Sequence, residues 1–385
     1  MAFNPKNFDF SLADDLLNQA GDTINEMEKI EILVVGKTGV GKSTLINNIF
    51  REELAKTGVG KPITQHIQKL SKEDMPINLY DSRGLELSKE VQKQIKEEIN
   101  ALQADLTKEG SHLHAAYYCI NANSQRIEEM EIDLIEQLAD HMPVIVVLTQ
   151  SIGEAGDTMK AYIESLHLPI QGVIPVMAAD YRINDQVTIE AFGLEDLLNL
   201  TFLVIPENVH PAFTNAQRID IKRKAKAARR WAKKSVAMTF GVGFSPIPFS
   251  DATLLVPIQI TMLARITAIF GISMQSKQVI SILGAVIGTG GATYIGRTIA
   301  SNLVKFIPGL GSALGGLISG STAAMVTTAL AMSYIEVLTI IAESEAKGEE
   351  ISLESLNKLM KTHFRKRLRR GKKDKDFQDV EDMKD

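Results

Sequence analysis

The sequence predicts an α/β domain in the first half of the chain and an all-α, glycine-rich apolar domain in the second half. An apolar run at 30–35, typical of a buried parallel strand, precedes a glycine-rich loop and a helix-compatible run at 43–50. Further apolar runs of strand length follow up to about residue 177. After Pro206 the pattern changes to long uncharged segments rich in glycine, alanine and serine. These observations predict two structurally different halves.

The glycine-rich loop fits a phosphate-binding pattern at every fixed position. Residues 36–43 read G-K-T-G-V-G-K-S, which matches G-x-x-x-x-G-K-[ST] between a strand and a helix. In such a loop, backbone N–H groups surround phosphate oxygens at the positive end of the following helix. The lysine reaches the β and γ phosphates, and the hydroxyl group offers a ligand to Mg²⁺. The predicted nucleotide-binding residues here are Gly36, Lys37, Thr38, Gly39, Val40, Gly41, Lys42, Ser43 and Thr44.

A second predicted strand, at 75–80, leads into a D-x-x-G pattern that begins at Asp81 and ends at Gly84. An aspartate at a strand end can hold Mg²⁺ through water, so Asp81 is a candidate metal ligand. Gly84 can bring a backbone N–H group to the γ phosphate without a side-chain clash. Both residues are therefore predicted to contact the nucleotide.

The polar segment 56–67 lies between these two motifs. Thr64, in a P-x-T setting, is predicted to coordinate Mg²⁺ and to respond to the γ phosphate, with Thr57 as the alternative. Together with the motifs above, this gives Lys42, Thr64 and Gly84 as candidate catalytic residues. The candidate metal ligands are Ser43, Thr64 and Asp81.

The loop, Thr64 and the D-x-x-G motif together resemble the P-loop GTPases of the translation-factor class. The similarity is greatest to the branch that contains Era, the septins and the chloroplast-import receptors, and it covers roughly residues 28–205. The resemblance implies a mostly parallel sheet with helices on both faces. It also implies GTP or GDP as the ligand, Mg²⁺ as the cofactor and hydrolysis of GTP.

The base-reading motif departs from the pattern of this class. After a strand at 143–148, the usual [NT]-K-x-D motif is replaced by T-Q-S-I at 149–152. Thr149 fits, Gln150 stands in place of the lysine, and Ile152 cannot accept hydrogen bonds from guanine. Glu154 or Asp157 is an alternative acceptor. A further base-contacting motif is also degenerate, since Ala178 and Ala179 stand where a Ser-Ala pair is usual. ATP therefore remains an alternative to GTP.

Leu85 follows the D-x-x-G motif, where many GTPases have a glutamine that orients the attacking water. A leucine side chain cannot orient water, so low intrinsic turnover is expected. We expect the missing assistance to hydrolysis to come from Arg83, or from a second copy of the chain in a homodimer formed through the GTPase domain.

Bulk composition places few limits on function. The chain has 385 residues, a net charge of −5 and a single cysteine, Cys119. One cysteine excludes an internal disulfide and fits a reducing cytosol. Residues 1–15 lack a basic start followed by an apolar core, so no secretory signal is expected. Residues 1–28 show apolar side chains at helical spacing and predict an amphipathic helix that packs on one of the two domains.

A basic amphipathic helix is predicted at 218–234, within the segment 206–235 that links the two halves. Three interpretations remain open: a solvated linker, a helix on anionic lipid headgroups next to Trp231, and an RNA or ribosome contact. The chain lacks a recognised RNA-binding module, so nucleic acid is the least favoured partner.

The apolar region 236–345 contains two uncharged segments, 278–296 and 306–335, each long enough for the ~20 residues that cross a bilayer. Small residues recur at four-residue spacing, as at Gly284 and Gly288, which is typical of closely packed membrane helices. A tightly packed soluble bundle is the alternative. The apolar region has basic flanks at 222–234 and 365–373, which favour the cytoplasmic side of a membrane. The predicted location is therefore the cytoplasm, at or in the inner membrane and facing the cytoplasm.

Residues from about 215 to 345 resemble a conserved C-terminal domain of unknown function that bacterial proteins join to an Era-like GTPase. The resemblance depends on S-P-I-P-F-S-D at 245–251, on residues 254–259 and on the glycine repeats. Asp251 is predicted to cap a helix or to pair with Arg265. The predicted domain limits are 1–28, 29–205, 206–235, 236–345 and 346–385, with a disordered tail after Leu368.

Overall fold

The computed structural model describes residues 11–50, 54, 61–62, 64–82, 89–241, 252–287, 320–376 and 378. The described residues form two compact units. Residues 27–220 make up the first unit, and the described parts of 1–26 and 221–385 make up the second.

The first unit contains a seven-stranded sheet in the order β2-β3-β4-β1-β5-β6-β7, and a separate two-stranded hairpin of β8 and β9. The strands are β1 (Ile30–Val35), β2 (Lys61–Pro62), β3 (Ile67–Ser71), β4 (Ile77–Ser82), β5 (Ala115–Asn121), β6 (Val144–Thr149), β7 (Gly172–Pro175), β8 (Tyr181–Arg182) and β9 (Thr188–Ile189). β4, β1, β5, β6 and β7 run parallel, whereas β3 pairs antiparallel with both β2 and β4. The predicted mostly parallel sheet is confirmed.

Both faces of this sheet are covered by helices. The central strand β1 is apolar at every position but one, and it is buried throughout. Ile32 and Val34 belong to one buried cluster, and Leu33 and Val35 belong to another. Successive strand side chains point to opposite faces, so each cluster marks one face. The helices of the first unit are α2 (Lys42–Ile49), α3 (Lys89–Lys108), α4 (Glu129–Ala139), α5 (Ala155–Ser165), α6 (Leu194–Val204) and α7 (His210–Ala216).

The first unit extends beyond the domain limit predicted at residue 205. Val209, Ala212 and Phe213 are fully buried in the cluster that also holds Ile32 and Val34. Phe213 packs edge-on against Phe50, with ring centroids 6.4 Å apart. The sequence favoured a linker here because Pro206 precedes the change in composition, but the apolar side chains of α7 complete the core.

A buried histidine in the first unit predicts acid sensitivity. His114 Nδ1 accepts a hydrogen bond from the Glu31 backbone N–H at 2.9 Å. Burial, aided by nearby His112 and opposed by Glu28, lowers the pKa of His114 to about 4. The unfolded chain therefore binds a proton at His114 more tightly than the folded chain does. The contribution of His114 to the free energy of unfolding is complete above about pH 6.5 and is lost as the pH falls towards 4.

We expect this single group to remove roughly 3 kcal/mol of stability over that range. A His114→Asn variant, whose amide oxygen can still accept from Glu31, should lose this part of the pH dependence in urea unfolding at pH 7 and pH 4.5. His141→Asn, at an exposed histidine, is the matched control. Equal pH dependence in all three proteins would contradict the assignment.

All the secondary-structure elements described in the second unit are helices. Its helices are α1 (Ser11–Asn25), α8 (Ile221–Gly241), α9 (Ala252–Phe270), α10 (Ser276–Ile287), α11 (Gly320–Ala346) and α12 (Leu353–Arg370). The predicted N-terminal helix packs on the C-terminal helices, since Leu16 is fully buried in their core. It is also tied to them by hydrogen bonds from Ser276 to Asp14 and from Thr261 to Gln19.

Ion pairs connect α8, α11 and the segment after α12. Glu336 on α11 accepts from Arg229 at 3.3 Å and lies 3.8 Å from Arg367. Arg367 also pairs with Asp376, which in turn pairs with Lys233 at 3.0 Å. The tail predicted to be disordered after Leu368 is therefore ordered through Asp376, because its acidic side chains neutralise inward-facing cations.

One helix among the described residues is long and apolar enough to cross a membrane, judged by length and composition. This stretch, Ala323–Ala346, is 78% buried within the protein over its most apolar window. α8 and α12 pack against it, and Glu336 lies within it. The two predicted spans, the glycine repeats after residue 287 and Asp251 lie partly or wholly outside the described residues.

Trp231 does not project freely from the basic helix. The Arg265 guanidinium lies over its ring, 4.7 Å from the ring centroid, and the ring packs against the helical core. A cation above an indole face is held by the ring quadrupole. Trp231 therefore anchors α8 to α9 in this structure.

Candidate functional site

Those predicted site residues that the structure describes in the first unit gather at one edge of the sheet. The phosphate-binding loop follows β1, which lies between β4 and β5 at the centre of the sheet. Asp81 lies at the end of β4, and Thr149 is the last residue of β6. Because the carboxyl ends of parallel strands form a common crevice, the fold brings these residues together.

Lys42 begins α2, and its ammonium group lies inside the loop. Lys42 Nζ donates to the Gly36 carbonyl at 2.6 Å and to the Lys37 carbonyl at 3.0 Å. The Lys42 side chain is mostly buried. Thr44, two residues further along the helix, is exposed. A positive charge thus lies within the loop, at the amino end of a helix, where anionic oxygens are stabilised.

The first glycine of the loop is required by a close approach of two backbone segments. Gly36 has a φ of 151°, and a Cβ atom at this position would lie 2.4 Å from the Cys119 carbonyl oxygen. Gly39 has a φ of 80°, but a Cβ atom there would meet no heavy atom within 4 Å. Gly36 therefore lets the loop pass against β5, whereas Gly39 is needed only for its backbone conformation.

Lys37 is tied to the amino end of α4. Its ammonium lies 2.9 Å from a Glu128 oxygen and 3.1 Å from a Glu131 oxygen. Burial alone lowers the pKa of Lys37, but the hydrogen bonds to these two carboxylates outweigh it and raise that pKa above its ordinary value. Glu128 and Glu131 also form a capping box for α4. The pairing fixes the outer side of the loop.

Thr149 and Gln150 connect the base-reading region to the loop. Thr149 Oγ1 lies within hydrogen-bonding distance of the Val40 carbonyl and 3.1 Å from the Ile120 carbonyl. Gln150, in a left-handed backbone conformation with φ of 53°, donates to the Gly39 carbonyl at 3.4 Å. Both predicted nucleotide-binding residues thus contact the phosphate loop directly.

Two asparagines that the sequence analysis did not single out join this contact. Asn121 Nδ2 donates to Gln150 Oε1 at 3.1 Å, and Asn123 Nδ2 donates to the Gln150 carbonyl at 2.8 Å. Asn121 ends β5 directly after the apolar run 115–120. A polar residue at the carboxyl end of a parallel strand was the signal that could have identified it.

The remaining base-side residues occupy three different settings. Ser151 Oγ donates to the Leu148 carbonyl at 2.8 Å, so this hydroxyl turns into the fold. Ile152 is half-buried, and Ala178 is buried just after β7. Glu154 and Asp157 are exposed or nearly so at the amino end of α5. A nucleotide base bound here would therefore contact an apolar and amide surface, with the carboxylates of Glu154 and Asp157 nearby.

Asp81 and Lys42 share an electrostatic environment around Cys119. Burial raises the pKa of the Cys119 thiol to about 12, with Lys42 opposing the shift and Asp81 adding to it. Asp81 is itself mostly buried and stands opposite Val34 of β1 and Gln68 of β3 in the sheet. Its carboxylate therefore belongs to the same edge as the phosphate loop.

Thr64 lies just before β3 and contacts a helix that the sequence did not implicate. Its hydroxyl donates to Glu98 Oε2 on α3 and accepts from the Ile67 N–H at 3.0 Å. Glu98 also accepts from the His66 backbone N–H at 3.1 Å, and its second oxygen lies 2.9 Å from His66 Nδ1. Burial raises the pKa of Glu98, but the hydrogen bonds from Thr64 and His66 lower it below its ordinary value.

The donor set at this edge suits Mg²⁺. Among the described residues, no three histidine, cysteine, aspartate or glutamate side chains converge on a metal position. The available donors are one buried carboxylate, at Asp81, and hydroxyls at Ser43 and Thr64. Mg²⁺ prefers oxygen ligands and is held by few protein groups, with substrate phosphates and waters completing the shell. Gly84, Arg83, Leu85 and Thr57 lie outside the described residues.

Two known protein families match separate parts of the chain. Residues 31–150 match the family described as 50S ribosome-binding GTPase. Residues 214–366 match a domain of unknown function, DUF697. The first match runs from β1 to the end of β6 and includes the phosphate loop, whereas the second begins within α7 and ends within α12.

Individual relatives are similar over the first part. A stretch of 84 residues is 36% identical to "Translocase of chloroplast 108, chloroplastic" of Physcomitrium patens, covering 20% of this chain and 8% of that protein. A stretch of 150 residues is 24% identical to "Cell division control protein 10" of Candida albicans, covering 32% and 42% respectively. The chain spans less than half the length of these curated relatives.

Among solved structures, a variant of Aquifex aeolicus Era bound to GDP.AlF4- matches with 16% identity and a TM-score of 0.31. The match covers 55% of this chain and 68% of that one.

Proposed function

This chain carries a GTP-binding P-loop GTPase domain of the Era, EngB and septin class followed by a DUF697 domain, and we propose that the first controls attachment of the second to an anionic membrane. The family hydrolyses GTP. The observation that carries the nucleotide part of the proposal is the loop itself: Lys42 lies inside it, and Gly36 lets it pass against β5. We assign Lys42 to the phosphates and Mg²⁺ to Ser43, Thr64 and Asp81.

Turnover is proposed to be slow. Leu85 has no group that can orient the attacking water. A bound Mg²⁺ would neutralise developing charge on the phosphates, while Lys42 and the loop N–H groups hold them in place. We propose that a second copy meeting the GTPase domain, or another partner, supplies the missing group.

The membrane part of the proposal depends on two exposed basic stripes of the second unit. They consist of Lys222, Lys226, Arg230 and Lys234 on α8, and of Lys358, Lys361, Arg365 and Arg369 on α12. Both helices pack against α11. Of the acids in this region, Glu336 pairs with Arg229, and Asp376 pairs with Lys233 and Arg367. Each basic residue near an anionic surface adds about 1 kcal/mol of attraction.

Peripheral attachment explains these observations better than insertion of α11. The most apolar helix is largely buried, and Glu336 within it pairs with Arg229 and lies near Arg367. Moving it into lipid would separate these charges, whereas the stripes already face outwards. We therefore place the protein at the cytoplasmic side of a membrane, where GTP is available.

Titration calorimetry with GTP, GDP and ATP in Mg²⁺, with and without phosphatidylserine vesicles, tests the proposal. Binding selective for guanine and altered by vesicles is the expected result. Binding of ATP with equal or higher affinity, unaffected by vesicles, would replace the proposal with a soluble ATP-dependent module.

The stripes make a separate prediction. Neutralising two of their charges, in Lys226→Gln/Arg230→Gln, should weaken binding to phosphatidylserine vesicles about 30-fold at low salt. GTP affinity should be unchanged, because both residues lie outside the GTPase domain. Lys93→Gln/Lys160→Gln removes two charges from the surface of that domain and serves as the control.

Vesicle sedimentation measures the effect. Loss of binding to RNA but not to vesicles would instead identify an RNA or ribosome contact, as the description of the matching GTPase family suggests.

A further inference from the structure

We infer that Glu98 is a positioning residue that aligns the Thr64 hydroxyl for its metal, and so joins the segment before β3 to helix α3. The inference rests on the proposed role of Thr64 as a Mg²⁺ ligand. Glu98 itself would touch neither the metal nor the nucleotide. It would act through the hydrogen bond that it accepts from Thr64.

The partners of the Thr64 hydroxyl leave one lone pair available. Its proton is donated to Glu98, and one lone pair accepts from the Ile67 N–H at 3.0 Å. A hydroxyl oxygen has two acceptor sites, so one remains. With two hydrogen bonds fixed, that lone pair has a defined direction. A carboxylate that accepts the proton of a metal-binding group is a common way to orient such a ligand.

Glu98 is held firmly enough for this task. His66 donates to one of its oxygens from the backbone at 3.1 Å, and the His66 ring meets the other oxygen at 2.9 Å. The side chain of Glu98 is 18% exposed and that of His66 is 8% exposed. Both carboxylate oxygens therefore have partners, and the carboxylate has little freedom to rotate.

The sheet register places this arrangement at the site edge. Ile67 stands opposite Ser82, and Gln68 stands opposite Asp81, because β3 and β4 run antiparallel. Thr64 therefore precedes the start of β3 on the side where β4 ends with Asp81 and Ser82. Glu98 comes from α3, the helix that follows the D-x-x-G segment along the chain. The Glu98 carboxylate thus connects the segment before β3 with the helix that follows β4.

The test compares affinities for GTPγS and GDP, each with a fluorescent label and in Mg²⁺. Only the triphosphate brings the γ phosphate to which Thr64 is proposed to respond. Glu98→Ala is therefore expected to weaken Mg²⁺·GTPγS binding about tenfold and to leave GDP binding nearly unchanged. Glu98→Gln, whose amide oxygen can still accept the Thr64 proton, should restore most of the loss.

Two controls separate positioning from general damage. Glu97→Ala removes the neighbouring, 66% exposed carboxylate of the same helix and should have no effect. Thr64→Val should lower GTPγS affinity by itself, and adding Glu98→Ala to it should cost nothing further, because Glu98 acts only through Thr64.

The outcomes are distinguishable. If Thr64→Val leaves the ratio of GTPγS to GDP affinity unchanged, the assignment of Thr64 in the proposed function is wrong. If Thr64→Val lowers this ratio but Glu98→Ala does not, the assignment of Thr64 stands and the inference about Glu98 is overturned. Equal losses for GTPγS and GDP in Glu98→Ala would also overturn it, since they indicate a purely structural role.

Discussion

Replacing Lys42 with alanine is expected to lower the affinity for GTP and GDP by about 100- to 1,000-fold, which is the loss of two hydrogen bonds between a charged donor and phosphate oxygens. In the structure its ammonium group already lies within the loop, bonded to the Gly36 and Lys37 carbonyls. The alanine leaves both carbonyls, one of them buried, without this donor, so urea unfolding is measured beside binding to establish that the variant is folded. Calorimetric titration with both nucleotides measures the effect.

The neighbouring lysine of the loop provides the matched control. Lys37 pairs with Glu128 and Glu131, and its charge is largely neutralised there. Lys37→Ala should therefore weaken nucleotide binding by only a few-fold, although it removes the same side chain from the same loop. Wild-type affinity in Lys42→Ala, or equal losses in the two variants, would show that the loop does not bind phosphate in the proposed way.

The second large effect concerns Gly36. A methyl group at this position would lie 2.4 Å from the Cys119 carbonyl oxygen, and the backbone φ of 151° is unfavourable for alanine. Strain and overpacking together are expected to cost about 3 to 5 kcal/mol of unfolding free energy. Since β5 cannot move without disturbing both neighbouring strands, the loop should shift instead, and nucleotide affinity should fall with stability.

Gly39→Ala tests the same chemistry without the clash. Gly39 also has a positive φ, but no heavy atom lies within 4 Å of the added methyl group. Only backbone strain of about 1 to 2 kcal/mol is then expected. Urea unfolding of both variants gives the comparison. Equal destabilisation would mean that the approach of the loop to Cys119 is not the reason for glycine at position 36.

Local sequence patterns predicted the elements that depend on local chemistry. The apolar run at 30–35 is β1 with the same bounds, and the phosphate loop lies between β1 and α2. The strand predicted at 143–148 is Val144–Thr149. These agree because a mostly apolar strand, and a loop rich in glycine, have few alternative conformations. The family resemblance supplied the parallel sheet with helices on both faces, which the structure confirms.

Contacts between distant segments were not predictable in this way. Glu98 is separated from Thr64 by 34 positions, and Asn121 from Gln150 by 29. Each of these residues is an ordinary polar residue in its own stretch of sequence. Only the packing of α3 against the strands, and the pairing of β5 with β6, bring the partners together.

The helical unit shows the same division. Composition predicted an apolar helix within 306–335, which overlaps α11 (Gly320–Ala346), and basic segments on either side of the apolar region. It could not decide whether the apolar surface is covered. The tertiary structure covers it with α8 and α12 and pairs Glu336 with Arg229.

The sequence by itself determined a phosphate-binding loop and a β-strand before it, because these need particular residues at fixed spacing. Only the tertiary structure decided which side chains complete the site and which apolar surfaces are buried, because those depend on contacts between segments far apart in the chain.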